Sequence, residues 1–270
     1  MIICMYKQFS QIHKNMNIEL FGSIIHQYND FQCVDTFIDF ITQIQLNSIN
    51  DPNYNDIRSL IDIIYKISIN EITSITISNY TNDLSADDTF RVISIFLDVL
   101  IITNNSNITS VVVSDRPMPE MTSNVNYITA LFIKLLSNNH NISYLDLSYV
   151  SPSIIFDIKD LFKISSINTL IFRHVFKPTT NHKLLFQELC WELRLATNIS
   201  ALDFSYNDLD IYHFDALFCI TRMIEFNSYV VHINVVSNGF DHWSMNKIMD
   251  TIENNRRKRY SFLRKLLELL

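Results

Sequence analysis

Glycine is almost missing from this chain: Gly22 and Gly239 are the only two in 270 residues. Phosphate-cradling loops, dinucleotide fingerprints and nucleophile elbows need glycines at fixed spacings. Only a residue without Cβ lets the backbone turn at positive φ or approach a ligand closely at little cost. Those site types are excluded. Cysteine is scarce as well. Cys4, Cys33, Cys190 and Cys219 show no C-x-x-C spacing, so neither a disulfide framework nor a zinc site is expected. Cys190 and Cys219 lie in apolar helical stretches and read as buried free thiols. No run approaches the roughly 20 apolar residues of a membrane span; the most apolar stretch, 92–102, is broken by Asp98. The opening apolar run is too short for a secretory signal. A reducing, cytoplasmic setting is the expectation.

Charge is sparse too. Charged residues make up 18% of the chain and apolar residues 48%, a balance that supports a core and argues against disorder. The net charge of −7 is unevenly placed. Residues 256–270 carry Arg256, Arg257, Lys258, Arg259, Arg264 and Lys265 against Glu268, a net +5, which leaves −12 on the rest. An acidic body is a poor nucleic-acid binder along its length.

What is present in quantity is repetition. Asn141–Tyr149 reads NISYLDLSY and Asn198–Tyr206 reads NISALDFSY. The same apolar spacing runs through seven sites. They are Ile41, Ile44 and Leu46; Ile72, Ile75 and Ile77; Ile108, Val111 and Val113; Ile142, Leu145 and Leu147; Ile167, Leu170 and Phe172; Ile199, Leu202 and Phe204; and Val230, Ile233 and Val235. Alternation over the last three positions is the period of a strand with one face buried. Between these sites the period becomes helical, as in Ile128, Leu131, Phe132 and Leu135, or Leu184, Leu185, Leu189, Trp191 and Leu195. Reuse of one spacing implies units that make nearly the same contacts with their neighbours.

The pattern Leu-x-x-Leu-x-Leu-x-x-Asn, met as Ile199, Leu202, Phe204 and Asn207 with Leu209 behind, and again as Val230, Ile233, Val235 and Asn238 with Phe240 behind, resembles the leucine-rich repeat family. Its long units with full helices look like the ribonuclease-inhibitor-like subclass. The resemblance implies an α/β solenoid, a horseshoe with parallel concave strands and convex helices, of about seven irregular repeats. Its parts would be a helical cap over 1–37, the solenoid over 38–255 and a basic amphipathic cap helix over 256–270. Tyr80, Arg116, Val150 and Val175 stand at the usual Asn position, which predicts irregular turns there. The chain also looks like leucine-rich repeat proteins that intracellular bacteria deliver into eukaryotic cells, which implies an effector with a host protein as partner. The recurring Asn-Ile-Ser/Thr triplets at 107, 141 and 198 read as a helix stop and strand start, not as glycosylation sites.

Strands about 4.8 Å apart turn equivalent positions into ladders. One reads Gln45, Thr76, Val112, Asp146, Ile171, Asp203, Asn234. The next includes Ser148, Arg173 and Ser205. A third, at the strand ends, includes Tyr149, His174, Tyr206 and Ser237. Exposed tyrosines beside an arginine have the composition of a protein-binding hot spot. The candidate protein-binding residues are Tyr144, Asp146, Tyr149, Arg173, His174, Asp203, Tyr206, His232 and Asn234. Asp146 and Asp203 lie two strands apart on an open sheet with Arg173 between them, which favours the charged form of both rather than acid–base catalysis. The eight histidines offer no metal-ligand spacing. The expectation is a binding module with no enzymatic activity, no cofactor and no metal. The alternatives are a hydrolase built on the loop Asp115–Glu120, or a basic C-terminal helix, with Leu263, Leu266, Leu267 and Leu270 on one face, that contacts a membrane, nucleic acid or a partner.

Overall fold

Three or four β-branched and apolar residues at strand spacing are enough for a strand when the next unit supplies an identical neighbour, and that neighbour recurs here. The computed structural model describes residues 73–77, 94, 97, 98, 100, 101, 107–113, 125–163, 165–177, 179–209 and 214–268. The chain divides into two units, Met1–Ile142 and Ser143–Leu270. In the first, strands β1 (Ser74–Ile77) and β2 (Ser110–Val113) pair in parallel, with Ile75 opposite Val111 and Thr76 opposite Val112. Helix α1 (Val125–Asn138) follows and buries Ile128, Leu131, Phe132 and Leu135.

In the second unit the strands are β3 (Tyr144–Asp146), β4 (Thr169–Ile171), β5 (Ala201–Asp203) and β6 (His232–Asn234). All three pairings are parallel and in chain order. The intervening helices are α2 (Pro152–Ile158), continued by a 3-10 turn over Lys159–Lys163, α3 (Thr180–Leu193) and α4 (Phe214–Phe226). Helix α5 (His242–Glu268) comes last. The register sets Leu145, Leu170, Leu202 and Ile233 side by side. Ile142, Ile167, Ile199 and Val230 are all fully buried, as are Leu147, Phe172 and Phe204. Phe204 packs on Phe172 with centroids 5.6 Å apart and on Phe186 at 5.4 Å. The architecture is α/β with parallel strands, as the spacing requires. The first expected strand, the 1–37 cap and the Asp115–Glu120 loop lie outside the described residues.

Two helical assignments need correction. On α3 the buried side chains are Phe186, Leu189, Cys190 and Leu193, whereas Leu184, Trp191 and nearby Leu195 are more than half exposed. On α4, Phe218 is likewise exposed. The apolar content of these helices is wider than the stripe the sheet covers. Cys190 is buried and Cys219 half-buried, both as free thiols. Burial pushes the Cys219 thiol up to about 11, and it raises Cys190 as well.

Asparagine, which composition alone does not single out, ties successive strand–helix repeats of the second unit together in two ladders. At the turn after the strand, the Asn207 side chain accepts from Val175 N (2.7 Å) and Phe176 N (2.9 Å) and donates to the carbonyls of Phe172 (2.7 Å) and Phe204 (2.8 Å). Asn238 repeats this one unit on. It accepts from Asn207 N (2.8 Å) and donates to Phe204 O (2.8 Å) and Val235 O (3.0 Å). Each amide therefore serves the turn of the preceding unit, and Val175 needs no Asn of its own. Asn198, Asn227 and Asn255 form the second ladder, each donating to carbonyls just where the helical segment of the preceding repeat ends. Asn227 donates to Leu193 O and Ala196 O, both at 2.7 Å, and Asn255 to Ile224 O at 2.8 Å. Asn198 donates to Ser165 O and Ile167 O at 2.7 Å, which gives its triplet a structural role. Buried carbonyls left without a donor would each cost on the order of 1–3 kcal/mol.

The irregular turns expected at Val150 and Val175 are not found. Tyr149 (φ 64°), His174 (54°), Tyr206 (62°) and Ser237 (59°) all take the left-handed conformation at the same place in their units.

Candidate functional site

The turns after β3, β5 and β6 are each held by the last residue of the strand. Asp146 Oδ1 accepts from Ser148 N (2.9 Å) and Ser148 Oγ (2.5 Å). Asp203 Oδ1 accepts from Ser205 N (2.9 Å) and Ser205 Oγ (2.6 Å). Asn234 Oδ1 accepts from Val236 N at 3.1 Å. Short polar side chains that bond the backbone two residues on favour tight turns, which explains Asp or Asn at this position in three strands; β4 has Ile171 there instead. These groups hold the turn from inside it. Asp146 is 7% and Asp203 8% exposed, and neither stands out from the sheet as the alternation alone suggests.

Arg173 does not serve both acids equally. Its Nε and Nη2 both reach Asp203 Oδ2, at 2.9 and 2.7 Å, and Asn234 Nδ2 donates to the same oxygen at 3.1 Å. Burial raises the Asp203 carboxyl, but the Ser205 bonds and the Arg173 guanidinium together hold it below its ordinary value. At Asp146, burial outweighs the Ser148 bonds and the more distant Arg173, and the carboxyl is raised. The charge-sharing arrangement expected of Arg173 is corrected accordingly. A depressed folded-state value means that the stabilisation is present above the ordinary carboxylate range and is lost as pH falls through the depressed value. Arg173→Gln should therefore lower stability at neutral pH by about 1 kcal/mol, a figure reduced because the arginine is partly exposed. The gap from the wild-type chain should close as Asp203 is protonated. Urea unfolding at neutral and acid pH measures both.

Above these turns three of the left-handed residues, Tyr149, His174 and Tyr206, carry rings, while the fourth at this place in the units is Ser237. Tyr149 stacks on His174 with centroids 4.5 Å apart and planes 9° from parallel. His174 stacks on Tyr206 at 5.0 Å and 17°. Tyr149 is half-buried, His174 exposed and Tyr206 47% exposed. Burial, with the nearby Arg173 charge, holds the His174 imidazole below its usual value against the pull of Asp208, which favours the neutral ring. Non-glycine residues in this conformation cost on the order of 1–3 kcal/mol each, and bulky ones recur where function demands them. In a chain with so little glycine, the units place rings where an Asn or Gly would be cheaper.

Of the other expected site residues, Tyr144 is half-exposed at the strand start, and burial followed by the charge of Asp146 raises its phenol. His232 is exposed and accepts at Nδ1 from Arg256 Nη2, 3.2 Å away. The structure therefore brings Tyr149, Arg173, His174, Asp203, Tyr206 and Asn234 into one patch and leaves His232 at its last strand. A second exposed group was not anticipated as exposed: Trp191 with Arg194 over its ring at 3.2 Å, and Phe226 with the same guanidinium at 5.9 Å. No cluster of His, Cys, Asp and Glu among the described residues could hold a metal ion.

No protein-family model matches the chain, and no curated protein matches it. Solved structures with similar coordinates include the actin-binding site 2 of leiomodin-1, at 15% identity over 67% of this chain and 98% of that one, with a TM-score of 0.49. They also include the tropomodulin C-terminal domain of Caenorhabditis elegans, at 13% identity over 76% of this chain and 96% of that one, with a TM-score of 0.43. The ribonuclease-inhibitor-like subclass and the bacterial-effector resemblance are corrected by these findings: no family model supports them, and the similar structures are leiomodin and tropomodulin domains.

Proposed function

We propose that this chain is a non-enzymatic recognition module, a stack of strand–helix units that binds a partner protein over the exposed ring ladder of its second unit. The observation that carries this reading is the stack of Tyr149, His174 and Tyr206, each in a left-handed conformation that its side chain disfavours. Rigid aromatic rings offer large contact area with few torsions to freeze, and they dominate measured hot spots. Arg173, held by Asp203, adds an oriented cation beside them. The two carboxylates nearby are occupied with serine hydroxyls and turn amides, which suits a scaffold better than proton transfer.

Arg173 is a poor probe because its loss strands a buried carboxylate. The rings are better ones. Tyr149→Asn, His174→Asn and Tyr206→Asn together keep a residue type that tolerates the left-handed region. The lost stacking, about 0.5–1.5 kcal/mol per pair, is offset by relief of backbone strain, so the thermal midpoint should move by only a few degrees. Proteins captured from lysate by the wild-type chain should be lost with the triple variant. Identical captured sets, with the variant folded, would place binding elsewhere.

A further inference from the structure

We propose that the C-terminal half of α5 is an interfacial helix that lays its Tyr260, Leu263 and Leu267 face on an anionic lipid surface. The basic cap helix expected over 256–270 is the end of one continuous helix that begins at His242. Its first half is anchored: Ser244, Ile248, Thr251, Ile252 and Asn255 are buried. Beyond Arg256 every described side chain is exposed. Tyr260 is 71% exposed, Phe262 65% and Leu267 72%. No helix among the described residues is long and apolar enough to cross a membrane, so the surface, not the interior, of a bilayer is the fitting site.

The placement of charge selects the occupant. At about 100° per residue, Leu263, Leu267 and Tyr260 share roughly 60° of arc, and Phe262 lies about 100° to the other side of Leu263. Arg257 and Arg264 fall about 40–60° beyond the Tyr260 edge, and Lys258 and Lys265 about 40–60° beyond the Phe262 edge. Arg259 falls about 40° from Leu263, between it and Phe262; it and the cations on the borders can run their stems along the apolar side chains and place their charges at headgroup level. A protein partner would need no such symmetry. A cleft of about 530 Å³ lies between the start of β6 and α5, lined by His232, Glu253, Arg256, Arg259, Tyr260 and Leu263, with Glu253 3.9 Å from Arg256 Nη1. Arg256 is fixed there by its bond to Val231 O at 2.8 Å. Two guanidiniums beside an apolar edge suit a lipid phosphate next to its acyl chain.

The test is co-sedimentation of the full chain with vesicles. Roughly one-third phosphatidylserine in phosphatidylcholine should retain it more than tenfold better than phosphatidylcholine alone, and high salt should release it. Leu263→Glu with Leu267→Glu should abolish retention. Both side chains are exposed, so the far-UV circular dichroism and thermal midpoint should be unchanged. Arg257→Gln, Lys258→Gln, Arg264→Gln and Lys265→Gln together should weaken retention by more than tenfold. Wild-type chain left in the supernatant with anionic vesicles overturns the proposal, as does full retention of the Glu variant. A dimer mass by light scattering that the Glu variant loses would make a second copy the occupant. Capture by a polyglutamate peptide without vesicle binding would make it an acidic protein.

Discussion

Asn207→Ala should destabilise the chain by about 3–5 kcal/mol, more than any surface substitution. The side chain is 1% exposed and joins two successive repeats of the second unit. Its removal leaves the amides of Val175 and Phe176 without an acceptor and the carbonyls of Phe172 and Phe204 short of a donor. Buried groups orphaned in this way cost about 1–3 kcal/mol each, and some of that returns if the turn relaxes toward water. Asn246→Ala is the matched control. Asn246 contacts His242 at 3.0 Å on the exposed side of α5, and its loss should change stability by less than about 0.5 kcal/mol. Urea midpoints for the two variants separate an asparagine that builds the stack from one that decorates it.

Phe204→Ala should cost about 3–5 kcal/mol through the lost transfer energy and the cavity that remains. Phe204 is fully buried, and its ring lies against Phe172 from the preceding strand site and Phe186 from α3. The cavity would sit where sheet and helix layers meet, so neither layer can close it alone. Against a total stability on the order of 5–15 kcal/mol, either variant should show a much lower denaturant midpoint.

The strand register was legible because burial repeats it. Ile142, Leu145 and Leu147 recur as Ile199, Leu202 and Phe204, and all six are core residues. The turn asparagines at 207 and 238 were legible for the same reason. Their reach was not. Only coordinates reveal that Asn207 serves the turn of the unit before it, which is why Val175 keeps a regular turn. Nor did spacing locate Asn227, just past a helix end, or Asn255, inside α5, since an asparagine looks the same in sequence whether it meets water or buried carbonyls. Helix faces were less legible than strand faces. Leu184, Trp191 and Leu195 match an apolar stripe in sequence but face outward, because α3 already fills its seat with Phe186, Leu189 and Leu193. The ring ladder was found from strand alternation; its left-handed backbone, which turns three residues of neighbouring repeats into a candidate site, leaves no mark in a sequence with no glycine at those positions.

The central claim is that partners dock on the ring ladder rather than on the exposed apolar helix surface around Trp191. A photo-crosslinking residue placed at Tyr206 in one variant and at Trp191 in another, each irradiated in lysate, tests it most directly. The account predicts a discrete crosslinked protein at position 206 and none at 191. Crosslinks at 191 alone would contradict it and move the binding surface to the helices.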